Sequence, residues 1–435
     1  MHFDSSVAVY AVPLLALLLF HFHGRHKEEA RSHLAMAEAK AAGLTDPASL
    51  HPVIDPHKCM GCGSCVAACP EGKILGLIDN KAELIEPSQC IGHGACKTAC
   101  PFDAISLVFG TEQRGVDIPN VGSDFQTNIP GIYIAGELGG MGLIRNAIEQ
   151  GRQAMETIAN APRLRAADAY DVIIIGAGPA GFAASLAAME RGLRYLTIEQ
   201  DSLGGTVAHF PRGKLVMTQP ATLPIVGQVN FRETSKEELL DFWEQVMQDT
   251  QVQVNFQERV DAITSQPNRT FEVRTTAGAY QTNAILLAIG RRGTPRKLDV
   301  PGEELPKVVY RLVDPAQYVG QHVAVIGGGD SAIEAAVSIA EEPGTKVTLS
   351  YRGDALNRTK LKNRKKIEKC IADGSIRVLF KSSVKDISSH SIRLKSEDGV
   401  MSLKNDAVIV CAGGILPTGF LKTIGIEIET KYGKA

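Results

Sequence analysis

Net charge, long apolar runs and scattered cysteines are all scarce in this chain of 435 residues. Lys and Arg number 46 against 48 Asp and Glu, and 22% of residues are charged. The resulting net charge of −2 offers no basic stripe to a nucleic-acid backbone, so no nucleic-acid partner is expected. Seven of the nine cysteines lie between Cys59 and Cys100. That clustering excludes a disulfide framework spread over the chain, and the spacing within it favours metal in a reducing compartment. The one long apolar run, Val7 to Phe20, is fourteen residues, short of the ~20 that a bilayer normally needs.

What is present begins with that run. It contains Pro13, is preceded by Asp4 and is followed by His23, Arg25, His26 and Lys27. A secretory signal would show a basic start and a small-residue cleavage site. The order of charges instead predicts a single transmembrane anchor over residues 5–23, with the following domains on the cytoplasmic side of the cell membrane. Residues 24–52 read as a spacer, a polar Ala-rich helix from Glu28 to Ala42 that Gly43 caps, then a Pro-rich stretch. At this length the remainder divides into several domains.

Tyr170 to Asp201 organises the rest. The apolar run Val172 to Ile175 meets the turn Gly176-Ala177-Gly178-Pro179-Ala180-Gly181. A helical pattern follows, then a second apolar run that ends at Glu199. In this strand–turn–helix setting the G-x-G-x-x-G spacing is a dinucleotide signal. The first glycine allows the tight turn, the second lets backbone approach a pyrophosphate, and the third packs helix on strand. Glu199 stands where a ribose hydroxyl would lie. Val323 to Ala332 repeats the pattern, with Gly327, Gly328, Gly329, Asp330, Ser331 and Ala332 at its turn. The strand after it ends in Tyr351-Arg352 and not in an acid. Arg352, with Arg358 nearby, would pair with a 2′-phosphate and so favours NADPH over NADH. The basic stretch Lys360 to Lys369 is explained by a solvated helix face as well as by an acidic partner. Trp243, on the apolar face of an amphipathic segment from Glu237 to Gln248, reads as core.

The cysteine block is Cys59-x2-Cys62-x2-Cys65-x3-Cys69-Pro70, then Cys90-x2-His93-x2-Cys96-x3-Cys100-Pro101. It resembles bacterial two-cluster ferredoxins over about residues 53–110. The resemblance implies that Cys59, Cys62, Cys65 and Cys100 hold one [4Fe–4S] cluster, and that Cys90, Cys96 and Cys69 hold three corners of a second. Zinc is the competing ligand chemistry for close Cys pairs, but two interlocking runs each ending in Cys-Pro favour clusters. His93 stands where the resemblance expects cysteine. Either the imidazole ligates the fourth iron, or the second cluster is [3Fe–4S].

Thr127 to Ile158 (TNIPGIYIAGELGGMGLIRNAIEQGRQAMETI) looks like the closing segment of thioredoxin-reductase-type flavoproteins. In that family Gly136 and the acid after it, here Glu137 in place of Asp, face the flavin's ribityl chain, and Arg145-Asn146-Ala147 opens the last helix. Gly205-Thr206 matches a turn beside the flavin ring. The segment is C-terminal in the family but here precedes the first Gly-rich turn, so the chain resembles a circular permutation. It would close its own FAD domain across a short joint, or a neighbour's in a swapped homodimer. The resemblance implies an α/β fold: two Rossmann-like dinucleotide-binding domains preceded by a small α+β ferredoxin domain and the N-terminal membrane helix. The expected boundaries are 53–110 for the cluster domain, 111–161 for the displaced segment, 168–300 for FAD, 301–412 for NAD(P)H, and 413–435 for the return to the FAD domain.

Asp314 to Gln321 contains no cysteine, whereas thioredoxin reductases carry C-x-x-C there. The similar bacillithiol disulfide reductases have Cys where this chain has Ala180. The expected activity is therefore an FAD-dependent NAD(P)H oxidoreductase, membrane-tethered, that moves electrons through iron–sulfur clusters to or from a protein or quinone, with no catalytic acid or base. The alternatives are a disulfide reductase using Cys370 or Cys411, and a membrane-bound redox sensor with little turnover.

Overall fold

The computed structural model describes residues 5–41, 45, 47, 50–70, 72–90, 92, 94–112, 115–140, 142–161, 169–210, 215–217, 220–231, 233–291, 293–356, 359, 361–397 and 399–433. The chain divides into two compact units, one of Met1–Gly115 with Tyr432–Ala435 and one of Val116–Lys431.

The first unit opens with α1 (Ser5–Ala41), 37 residues without a break. The anchor and the helical part of the spacer were expected as separate segments; one helix runs through both as far as Ala41. Among the described residues no helix is long and apolar enough to cross a membrane, so the transmembrane anchor, and the single-pass location that depended on it, are not supported. At 1.5 Å per residue the fourteen apolar residues extend only ~21 Å, against a hydrocarbon core of ~30 Å. The helix then continues through Arg25, Lys27, Glu28 and Glu29, and its charged half packs on protein. Gly43 lies outside the described residues.

The rest of this unit is a twofold repeat. Strands β1 (His51–Ile54) and β4 (Ile105–Val108) pair antiparallel, as do β2 (Leu75–Ile78) and β3 (Lys81–Leu84). Between them lie two four-residue helices, α2 (Ser64–Ala67) and α3 (Ala95–Thr98), each entered through a left-handed glycine, Gly63 (φ 78°) and Gly94 (φ 81°). Cys65 and Cys96 occupy equivalent places in them. Leu75, Ala82, Ala104 and Ile105 form the core alongside buried cysteines.

The second unit holds two parallel five-stranded sheets. The first runs Val254–Asn255, β8 (Tyr195–Ile198), β7 (Val172–Ile175), Ile285–Leu287 and β6 (Ile132–Ile134). Its inner strands are apolar on both faces because both are covered, one by helices and the other by Ile263, Phe271 and Val273 of the antiparallel strands Val260–Ser265 and Phe271–Thr275. Helix α4 (Ile144–Asn160) packs on α5 (Pro179–Glu190), so β6 and α4, which precede the first Gly-rich turn in sequence, complete the sheet of their own chain. Helix α6 (Lys236–Thr250) begins at a capping box between Ser235 and Glu238. It buries Trp243, whose ring lies 6.1 Å from that of Phe182. The second sheet runs Val308–Val309, Ala407–Val410, His322–Ile326, Lys346–Ser350 and Ile376–Leu379, with α7 (Asp330–Ala340) and α8 (Leu361–Ala372) against it. The chain returns through Ile428–Lys431, which pairs antiparallel with β5 (Val116–Pro119).

Candidate functional site

In a parallel sheet the C-terminal strand ends collect on one edge, and ligands bind in the crevice beyond it. On the first sheet, β7 ends there at the Gly176 turn. Gly176 has φ 104°, and a Cβ on it would lie 2.6 Å from the Ala288 carbonyl oxygen at the end of the neighbouring strand. Only glycine fits both demands. Gly178 differs in kind, because nothing lies nearer than 3.9 Å to where its Cβ would be. The backbone is open on that side, as a pyrophosphate cradle needs. Gly178 also starts α5 without a side-chain cap, which leaves the first-turn amides to a phosphate.

The neighbouring expected residues converge on this turn. The Gly204 N–H donates to the Ala177 carbonyl at 3.0 Å, which brings Gly205 and Thr206 alongside. Glu199 is 6% exposed, and its carboxylate accepts the Ala177 N–H at 2.7 Å and the Asp201 N–H at 2.9 Å. Burial pushes its pKa up, and the two amides oppose that shift. Gly136 and Glu137 follow β6 at the same edge, and Glu137 is exposed. Arg145, Asn146 and Ala147 form the first turn of α4, whose N-terminus also lacks a side-chain cap. Ala180 is buried, and its carbonyl faces Gly151 of α4.

On the second sheet Gly327, Gly328 and Gly329 connect the strand His322–Ile326 to α7, which Asp330, Ser331 and Ala332 begin. Gly329 has nothing within 4 Å of its Cβ position, an opening equivalent to that at Gly178. Arg352 is exposed after the strand Lys346–Ser350. Arg358 lies outside the described residues.

The cysteines sort into two cavities. One is lined by Cys59, Cys62, Cys65 and Cys100. The other is lined by Cys69, Cys90 and Cys96 with Gly92 and Gly94. His93, between those glycines, lies outside the described residues. Burial pushes the Cys65 thiol up to about 11 and raises Cys96 as well. Hydrogen bonding to Ser64 lowers Cys62, which is exposed. Buried, mutually close thiols are poorly placed to ionise alone, and iron would take them as thiolates. The Ala82 N–H reaches Cys59 Sγ and the Ala104 N–H reaches Cys100 Sγ, both at 3.4 Å. Such bonds tune a cluster's potential. These donor sets fit two clusters.

Residues 173–434 match the family described as pyridine nucleotide-disulphide oxidoreductase. The chain belongs to that family. Residues 51–101 match a 4Fe-4S dicluster domain. Among curated relatives, the bacilliredoxin reductase Bdr of Bacillus subtilis (strain 168) is 30% identical over 268 residues, 60% of this chain and 82% of that protein. A ferredoxin–NADP reductase of Ignicoccus hospitalis is 26% identical over 268 residues, 60% of this chain and 83% of that one. The solved bacillithiol disulfide reductase Bdr of Bacillus cereus superposes with a TM-score of 0.50 at 28% identity, covering 59% of this chain and 82% of that one. This oxidoreductase is thus an FAD-dependent NAD(P)H enzyme with a ferredoxin-type iron–sulfur domain.

Some contacts at the site carry no sequence signal. Gln150 Oε1 accepts the Gly136 N–H at 2.8 Å and holds the turn before Glu137. The Tyr351 ring covers Gly328 and Gly353 beside the second turn. Arg311, from the NAD(P)H half, reaches Asp201 of the FAD half at 3.1 Å and also contacts His209 there, and so ties the two nucleotide-binding halves together. A lone Arg or Gln at irregular spacing is invisible until the fold brings its partner to it.

Proposed function

We propose that the protein is an NADPH-dependent flavoprotein that delivers electrons singly, through its iron–sulfur domain, to a one-electron protein acceptor. The observation that carries this reading is the sorting of seven cysteines into two cavities, in a chain that also holds two open dinucleotide turns. Nicotinamide and flavin together supply a two-electron hydride exchange, and iron–sulfur clusters accept electrons one at a time.

The chain's own residues bind and orient. Gly176, Ala177, Gly178, Pro179, Ala180 and Gly181 cradle the flavin nucleotide, and Glu199 takes a ribose hydroxyl with the oxygen lone pairs that its two amides leave over. Gly136, Glu137, Gly205 and Thr206 border the flavin, with the α4 N-terminus at Arg145, Asn146 and Ala147 favouring negative charge on its ring. Gly327 to Ala332 cradles NADPH, with Arg352 and Arg358 on the 2′-phosphate. Cys59, Cys62, Cys65 and Cys100 hold a [4Fe–4S] cluster, whose potential the amides of Ala82 and Ala104 raise. Cys69, Cys90 and Cys96 hold the second cluster, with His93 as its fourth ligand or with one iron fewer. No side chain is assigned as acid or base.

The test is NADPH-driven reduction of a one-electron dye by the purified holoprotein. Dye reduction should be lost in Cys59→Ser and Cys62→Ser while flavin content is retained. Undiminished dye reduction in both variants, or a protein isolated without flavin, would sink the proposal. Thiol-dependent NADPH oxidation that disappears in Cys370→Ser or Cys411→Ser would instead support disulfide reduction.

A further inference from the structure

One group of metal-ligating side chains lies outside the cysteine cavities and the nucleotide turns, and tertiary structure alone assembles it. Glu29 and His33 stand one turn apart on the same face of α1. Asp79 is at the tip of the hairpin joining β2 to β3. One ligand atom from each of the three residues lies within 4.8 Å of the others.

The backbone beneath these groups is held by local hydrogen bonds. Asp79 and Asn80 have φ of 50° and 59°, as a tight two-residue hairpin turn demands. The Asp79 N–H donates to Glu29 Oε1 at 2.7 Å. Arg25 donates to Asn80 Oδ1 at 3.2 Å, and Lys73 pairs with Glu28 at 3.4 Å. Ser32, only 8% exposed, is wedged against Gly76 of β2. The helix is therefore seated on the hairpin along more than two turns. Among the described residues, no Lys or Arg forms an ion pair with Glu29 or Asp79, so the two neighbouring carboxylates share no side-chain cation.

We propose that Glu29, His33 and Asp79 form a site for a divalent cation of the zinc class that fastens α1 to the hairpin of β2 and β3 within the cluster-bearing unit. One imidazole nitrogen with two carboxylates is a borderline donor set, which suits Zn²⁺ better than Mg²⁺ or Ca²⁺, whose preferred shells are all oxygen. His33 and Asp79 are exposed, so water reaches the cation and completes its coordination. The same hairpin leads straight to the first cysteine set. Its Asn80 carbonyl abuts Gly61 in the loop between Cys59 and Cys62. Lys81 Nζ donates to the Cys59 carbonyl at 2.6 Å, and the Ala82 N–H reaches the Cys59 sulfur. A cation at the hairpin tip would brace the helix and this loop together.

The experiment is an anaerobic Zn²⁺ titration of the full chain, loaded with flavin and clusters, against a chromophoric zinc chelator, with iron content followed throughout. The wild type should take up one tight equivalent with no loss of iron. Changes to outer-shell partners alone typically weaken metal sites ~10–100-fold, so His33→Ala, Asp79→Asn and Glu29→Gln should each weaken binding by at least tenfold. His33→Ala replaces an exposed helical residue with the best helix former, so its fold is retained. His57→Ala, an exposed histidine elsewhere in the unit, should bind as the wild type does. An unchanged tight equivalent in His33→Ala with iron and flavin intact overturns the proposal. Zinc uptake only in step with iron release also overturns it, because the zinc would then be in the cysteine cavities.

Discussion

Gly151 sits where α4 crosses α5, and a Cβ there would run into the Ala180 carbonyl oxygen. Two effects compete in Gly151→Ala. Replacing glycine inside a helix gains ~0.5–1 kcal/mol from propensity. Against that, overpacking costs ~1–3 kcal/mol, and the upper part of that range applies because the obstacle is backbone with no rotamer to relieve it. The net loss is about 1–2 kcal/mol, or a fall in Tm of roughly 2–8 °C for a domain of this size. The strain also reaches the cofactor, since Ala180 is two residues from Gly178 at the start of α5, and the flavin-to-protein ratio should fall. Thermal unfolding followed by flavin fluorescence, with flavin quantitation, reads both effects. The loss should be the same at low and high protein concentration, because α4 packs on the sheet of its own chain. A Tm that stays level or rises, with full flavin content, would refute the close helix contact.

The remaining predictions address the cofactors separately. Glu199 has a folded pKa raised by burial, so its contribution to stability is complete below the unfolded value of about 4.3 and is lost as pH rises through the folded value. Flavin-free wild type should therefore lose stability relative to Glu199→Gln between pH 4 and pH 7, and denaturant melts showing the opposite trend would contradict the burial argument. Cys59→Ser and Cys90→Ser should each remove the iron of one cluster, and low-temperature EPR of the pair should show complementary signals. Two variants with the same residual spectrum would overturn the division of ligands between cavities. Arg352→Ala should raise the KM for NADPH at least tenfold while leaving that for NADH nearly unchanged, as loss of a phosphate contact requires. Arg311→Ala should cost no more than ~1 kcal/mol, since its pair with Asp201 is about half exposed.

Much of the site was legible because its chemistry is local. A phosphate cradle needs glycines at fixed offsets between a strand and a helix, so Gly176 to Gly181 and Gly327 to Ala332 announce themselves. Three thiolates around one cubane need close spacing, so Cys59, Cys62 and Cys65 do as well. The partition that adds Cys100 to that set came only through the ferredoxin resemblance, and the cavity lining has the same membership. The N-terminal run misled because hydropathy reports apolarity and not where the helix ends. α1 continues into charged residues whose partners, Lys73 and Asn80, lie some fifty positions away.

The sequence by itself determined the local chemistry: two nucleotide turns, the acid after the first, the missing dithiol and the cysteine spacing. Each depends on residues a few positions apart, where backbone geometry leaves little choice. Tertiary structure decided what closes on what. Residues 132–160 complete the first sheet of their own chain, since β6 finds its parallel partner in Ile285–Leu287 and α4 finds a glycine-deep seat on α5. Gln150, Arg311 and the group Glu29, His33 and Asp79 acquire roles only then. Hydrophobic periodicity tells which face of an element packs, as it did for Trp243, but not which distant side chain an individual residue meets there.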